Sequence, residues 1–182
     1  ELLEEDPLDF SLMQENLRTI EQSVMRIDRI VLDLMDTVSI EQGRLALSLV
    51  PSDLSGLLHS VEKDFSSHPS SGNNQLVLTI QPDLPEISAD PERLIQVITN
   101  LISNADRHTQ NGTITISLTG EPGWQTICVS DTGTGMSEEM QKNALKGYVS
   151  ADKDYWRHGI GLYVCHQIIT AHGGKIWLKS QE

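Results

Sequence analysis

Between Phe10 and Val38 the apolar residues Phe10, Met13, Leu17, Ile20, Val24, Ile27, Val31, Leu34 and Val38 recur with alternating steps of three and four. This 3.5-residue period, held for four heptads, predicts a helix whose apolar seam meets partner helices, because a helix packed on a globular core drifts towards 3.6. Ile30 and Met35 widen the stripe beyond a two-helix seam, so a helical bundle fits better than a plain coiled coil. The helix is expected to end near Gly43. Glu1-Leu2-Leu3 reads as the end of a preceding helix, with Asp6-Pro7-Leu8-Asp9 as the turn and cap between them.

After Gly43 the pattern changes to short apolar runs separated by turn residues. Leu45 to Leu49 reads as a strand and Ser52 to Phe65 as a helix capped by Ser52 or Asp53. Ser66 to Asn74, rich in serine, glycine and asparagine, reads as a loop. Strands follow at Gln75 to Ile80 and Glu86 to Ser88, and Asp90-Pro91 starts a long helix to about His108. Thr113 to Leu118 and Gln125 to Val129 read as adjacent strands joined through Gly120-Glu121-Pro122-Gly123, and Ile176 to Lys179 as a last one. This order predicts a sheet covered by helices on one face.

Composition narrows the classes. The 182 residues include 38% hydrophobic positions, enough for a packed core. A formal net charge of −13, with 13 basic residues spread along the chain, argues against a nucleic-acid surface. Cys128 and Cys165 show neither a CxxC nor a zinc spacing, which points to a reduced, cytoplasmic setting. No run approaches the roughly 18–20 apolar residues of a membrane span, so no membrane contact is expected of this chain.

Candidate chemistry gathers at three places. In the helix from Pro91, the stripe Leu94, Val97, Ile98, Leu101 and Ile102 leaves Asn100, Asn104, Arg107 and His108 near another face. An asparagine carbonyl is a hard, neutral oxygen ligand suited to magnesium, which shares its remaining positions with water and phosphate oxygens. Arg107 offers phosphate-matching donors and His108 a planar surface for a base. Asp131 follows the apolar run Ile127-Cys128-Val129, so its carboxylate emerges at a strand end, where it can accept from an adenine amino group. Gly133 and Gly135 let the backbone turn close to a ligand. Gly159-Ile160-Gly161-Leu162 precedes an amphipathic helix, Tyr163 to Ala171, ended by His172-Gly173-Gly174, and backbone amides at such a start hold phosphate oxygens. Residues 136–158, polar and with few apolar anchors, suit a mobile lid, with Lys153 and Arg157 as phosphate contacts.

The order and separation of Asn100 to His108, Asp131-Thr132-Gly133-Thr134-Gly135 and Gly159-Ile160-Gly161 resemble the N, G1 and G2 boxes of the sensor histidine kinase ATP-binding domain. The arm, ending in Ser39-Ile40-Glu41-Gln42-Gly43-Arg44-Leu45, looks like the second helix of that family's dimerisation hairpin. The resemblance implies an α/β (α+β) two-layer sandwich of the histidine kinase and gyrase type, preceded by a long helix of a dimeric bundle. Residues 1–44 would be a partial hairpin and 45–182 the catalytic domain. Asn104 would bind magnesium, Asn100 would support the metal and phosphates, Arg107 and His108 would line the nucleotide, and Asp131 would read adenine. The implied cofactors are ATP and Mg2+, and the implied partners a second copy of the chain and a response-regulator receiver domain.

There are departures from the pattern. Residues 1–58 contain no histidine, so the phosphate acceptor is expected outside this sequence and the fragment alone is expected to be inactive. Ala144-Leu145-Lys146-Gly147-Tyr148 stands where the family has a phenylalanine-bearing motif, Arg157 stands where it has the first glycine of the G2 box, and relatives continue into one more strand. Those changes leave open a degenerate kinase acting as a dimerisation or nucleotide-binding scaffold. Asp131-Thr132-Gly133-Thr134 also matches the aspartic protease signature, whose chemistry needs two carboxylates; with no second copy of the motif, a protease would have to be a symmetric dimer, which leaves the asparagine helix and the heptad arm unexplained.

Overall fold

The computed structural model describes residues 13, 16–17, 19–20, 23–24, 27, 31, 35–36, 38–40, 42–67, 72–145 and 160–181. Between Met13 and Ile40 every described residue has helical backbone. The chain leaves this arm through a turn in which the Gly43 N–H donates to the Ile40 carbonyl at 2.9 Å and the Arg44 N–H to the Ser39 carbonyl at 2.8 Å. Gly43 has φ +64°, a left-handed stop that glycine makes without a side-chain penalty, and it stands at the expected end of the arm. The turn and cap expected at Asp6 to Asp9, the preceding helix end at Glu1-Leu2-Leu3, and the heptad positions Phe10 and Leu34 lie outside the described residues.

The body opens with β1 (Val50–Ser52), α1 (Leu54–Ser67), β2 (Gln75–Ile80) and β3 (Ile87–Ala89). It continues through α2 (Pro91–His108), β4 (Thr113–Glu121), β5 (Trp124–Asp131), α3 (Glu138–Asn143) and α4 (Ile160–Ala171). A strand at Leu45 to Leu49 does not form. The run supplies the approach to β1, and the hydrogen-bonded partner that makes a strand reaches only Val50 to Ser52, opposite Ala89 to Ile87 in an antiparallel pair. Asp53 supplies the start of α1, its two carboxylate oxygens accepting the Ser55 and Gly56 N–H groups at 2.9 and 3.1 Å.

The larger sheet has the order β2-β4-β5, with β2 and β4 parallel and β4 and β5 antiparallel. The β4–β5 hairpin closes on Pro122-Gly123, where proline fixes the first turn position and Gly123, at φ +84°, takes the second. Alternation along β4 sets the layers. Ile114, Ile116 and Leu118 are fully buried, each contributing roughly 1.5–3 kcal/mol, while Thr113, Thr115, Ser117 and Thr119 between them stay wetter.

Against that inner face pack Leu54, Leu57, Leu58 and Val61 of α1 and Leu94, Ile98 and Ile102 of α2. A second cluster joins Val97 of α2 to Val164, Cys165 and Ile168 of α4, with Leu45 and Ile176 at its margin. The result is two layers, helices over one face of a sheet. The strand expected at Ile176 to Lys179 is not assigned either. Its residues alternate in exposure as a strand's do, but no ladder partner lies among the described residues.

Candidate functional site

α2 is the spine of the site, and its first turn is held from three directions. Asp90 is its N-cap, with Oδ1 accepting the Arg93 N–H at 3.1 Å and Pro91 starting the helix. The other oxygen, Oδ2, accepts the Ser48 N–H at 2.8 Å and so fastens the segment that follows the arm. Burial pushes the Asp90 carboxyl up, but the N–H groups of Ser48 and Arg93, the Arg93 charge and the Glu92 N–H outweigh it and hold it below the usual carboxylate range. The Asp90 N–H in turn donates to His172 Nε2 at 3.0 Å, which places the ring proton on Nδ1, facing the Ile168 carbonyl at 2.8 Å. The end of α4 is thereby tied to the start of α2.

Three turns along α2, Asn100 is buried at 6% exposure rather than lying on an open face. The reason is α4, which crosses there. A Cβ built on Gly161 would stand 3.8–3.9 Å from the Asn100 amide atoms, so the first turn of α4 packs on the first asparagine. Asn104 is half-buried one turn further on, Arg107 is exposed, and His108 is half-buried in the last turn. Leu162 is half-buried beside Gly161.

The last turn of α2 meets the first glycine turn. Gly133 packs so tightly on the His108 carbonyl that a Cβ would come within 2.3 Å of its oxygen and 2.8 Å of Asp131 Oδ1. The Thr134 N–H donates to the same carbonyl at 3.3 Å, and Gly135 has φ +74°. Asp131, exposed at the end of β5, accepts the Gly133 N–H at 2.9 Å and the Thr109 hydroxyl at 3.5 Å, both on Oδ1. Behind Asp131 the Thr113 N–H donates to Thr132 Oγ1 at 3.0 Å, and Gly112 has no room for a Cβ, which would come within 2.4 Å of that oxygen and 2.5 Å of Thr109 Cγ2.

The structure therefore brings Asn100, Asn104, His108, Asp131, Gly133 and Gly161 to α2, the turn after β5 and the start of α4. Lys153, Arg157 and Gly159 lie outside the described residues, as does most of the expected lid. Its first part is α3, capped by Ser137 and joined to Ser180 by Gln141, whose Nε2 donates to the Ser180 carbonyl at 3.0 Å and whose Oε1 accepts the Ser180 N–H at 3.2 Å. Reading the sequence alone missed Thr109, Gly112 and Asn74. Thr109, 1% exposed, was the one with a visible signal: a hydroxyl placed directly after the His108 that ends the helix.

Among the described residues there is no cluster of three or more His, Cys, Asp or Glu that could hold a metal ion. Gly161 presents no side chain to the Asn100 amide, and a Cβ there would meet it at ordinary contact distance.

Residues 89–182 match the histidine kinase-, DNA gyrase B- and HSP90-like ATPase family. The chain belongs to that family. Its sandwich of helices on a mixed sheet is the family's fold, and the residues just described lie within the matched stretch, apart from Ser48 and Asn74. Over 180 residues the chain is 28% identical to the adaptive-response sensory kinase SasA of Synechococcus sp. (strain JA-3-3Ab), covering 97% of this chain and 48% of that protein. It thus spans about half the length of that relative. Among solved structures, full-length ShkA in complex with AMPPNP superposes with a TM-score of 0.71 at 23% identity, over 92% of this chain and 36% of that one. Histidine kinase ThkA in complex with the response regulator protein TrrA gives 0.68 at 22% identity, over 97% and 49%. At these identities the two structures bear on fold. No described helix is long and apolar enough to cross a membrane.

Proposed function

We propose that this chain is the ATP-binding catalytic part of a sensor histidine kinase, which transfers the γ-phosphoryl group of Mg-ATP to a histidine for relay to a response-regulator aspartate. One observation carries the reading: Gly161, at the start of α4, packs on Asn100, and Gly133, in the turn after β5, packs on His108. Asp131 Oδ2 accepts from the adenine amino group, and guanine, with a carbonyl there, leaves that acceptor unsatisfied. His108 and Arg107 line the nucleotide, with Gly135 letting the backbone approach it. Asn104, supported by Asn100, holds magnesium, and the bound ion neutralises phosphate charge. The amides at Gly161 and Leu162 face the phosphates at the start of α4, with Gly159, Lys153 and Arg157 completing their surroundings. Such transfer requires positioning and charge stabilisation more than covalent chemistry from the protein.

The acceptor histidine comes from outside residues 1–58, which contain none. Residues 1–44 act as the dimerisation arm and 45–182 as the catalytic body. Met13, Leu17, Ile20, Val24, Ile27, Val31 and Val38, all heptad positions, are exposed in the single chain, which supports a second copy packing there. ThkA, seen with TrrA, supports a receiver domain as the downstream partner. The test supplies an acceptor helix in the same chain and incubates it with labelled ATP. Acid-labile phosphohistidine is expected; its absence with nucleotide binding intact would leave the degenerate scaffold, which the Tyr148 and Arg157 departures favour.

A further inference from the structure

Gly72-Asn73-Asn74, part of a segment that reads from composition as plain loop, is built against the connection between α2 and β4. The Asn74 amide nitrogen donates to the Asp106 carbonyl at 3.1 Å, to Asp106 Oδ1 at 2.9 Å and to the Thr109 carbonyl at 2.9 Å. With two hydrogens for three acceptors, one of these bonds is shared. The amide oxygen accepts the Gly112 N–H at 3.0 Å. One side chain thus satisfies carbonyls that a helix C-terminus leaves open and holds both ends of the turn that follows.

The neighbours of Asn74 reinforce the clasp. The Gly72 carbonyl accepts the Asn111 N–H at 2.7 Å, and a Cβ on Gly72 would come within 2.2 Å of the Thr109 oxygen. Asn73 and Asn111, both in the left-handed region at φ 54° and 50°, are joined side chain to side chain at 3.1 Å. From the far side of this connection the Thr109 hydroxyl reaches Asp131 Oδ1, and the His108 carbonyl accepts the Thr134 N–H and packs against Gly133.

We propose that Asn74 is a positioning residue for the adenine end of the nucleotide site, fixing the Asp131 carboxylate through Thr109 and the last turn of α2. This rests on the nucleotide reading above and adds to it a residue that acts on base selectivity without being placed in contact with the base. Calorimetry with ADP and inosine diphosphate, which lacks the exocyclic amino group, separates selectivity from general binding. Wild type is expected to prefer ADP by about tenfold, the worth of one well-placed hydrogen bond. Asn74→Ala reduces that preference to about twofold or less while inosine diphosphate binding stays near wild type. Asn74→Asp keeps the acceptor for Gly112 and loses the donors, so it does the same in a side chain of equal size, with circular dichroism reporting the fold of both.

A wild-type ratio in both variants overturns the inference alone, and so does an equal loss for both ligands or a loss that follows unfolding, which would make Asn74 merely structural. Failure of wild type to bind ADP removes the nucleotide reading itself and the inference with it.

Discussion

Arg93 Nη1 donates to Asp36 Oδ1 at 2.7 Å, and through this pair a carboxylate on the N-terminal arm holds the first turn of α2, the helix that carries Asn100 and Asn104. Gln96 Nε2 donates to the other oxygen, Oδ2, at 2.5 Å, and Asp36 is only 7% exposed. Arg93 is partly wet, so the pair lies between the surface and buried extremes. Arg93→Ala, which strands a buried carboxylate, is expected to cost about 1–3 kcal/mol of unfolding free energy. A lowered urea midpoint at unchanged slope checks this, and an unchanged midpoint would mean the arm does not hold α2.

Asp90 gives stability a defined pH dependence. Its carboxyl is held below the usual range in the folded protein, so its contribution is fully present above the unfolded value of about 3.9 and is lost as pH falls through the lower folded value. An asparagine in its place could still cap α2 but would bring no negative charge to the Ser48 and Arg93 N–H groups. Asp90→Asn is therefore expected to cost about 1 kcal/mol at pH 7, a deficit that shrinks below about pH 4. A deficit that grows on acidification would have the wrong sign.

Gly133 and Gly161 should respond differently to the same added methyl group. At Gly133 the Cβ would strike the His108 carbonyl, backbone that cannot swing away, so Gly133→Ala is expected to cost about 1–3 kcal/mol and to weaken ADP binding. At Gly161 the Cβ would meet the Asn100 amide at ordinary contact distance. Gly161→Ala should keep its stability to within about 0.5 kcal/mol and weaken only nucleotide binding. Equal losses of stability in thermal melts would contradict the packing described.

How far the sequence discloses this depends on whether the deciding interaction is local. α2 is legible because Asp90-Pro91 carries its own start signal, and β2 because its apolar run is bounded by turn residues at both ends. Leu45 to Leu49 and Ile176 to Lys179 have strand composition but no strand partner among the described residues, and pairing is a long-range matter. Asn100 and Asp131 are legible through motif spacing. The burial of Asn100 depends on α4, far later in the chain, and the Asn74 clasp links positions 32 to 38 apart, which periodicity does not register.

The arm's exposed stripe makes a prediction about mass. Glutamates at Val24 and Ile27 place charge in the proposed seam, and Val24→Glu/Ile27→Glu is expected to convert a dimer to a monomer in light scattering. An unchanged mass would contradict the bundle.

Calorimetry of ADP binding, with and without magnesium, to wild type, Asp131→Asn and Asn104→Ala tests the central claim most directly. Wild type should bind at one site, Asp131→Asn about tenfold more weakly under both conditions, and Asn104→Ala more weakly only when magnesium is present. Equal heats for all three proteins would contradict it.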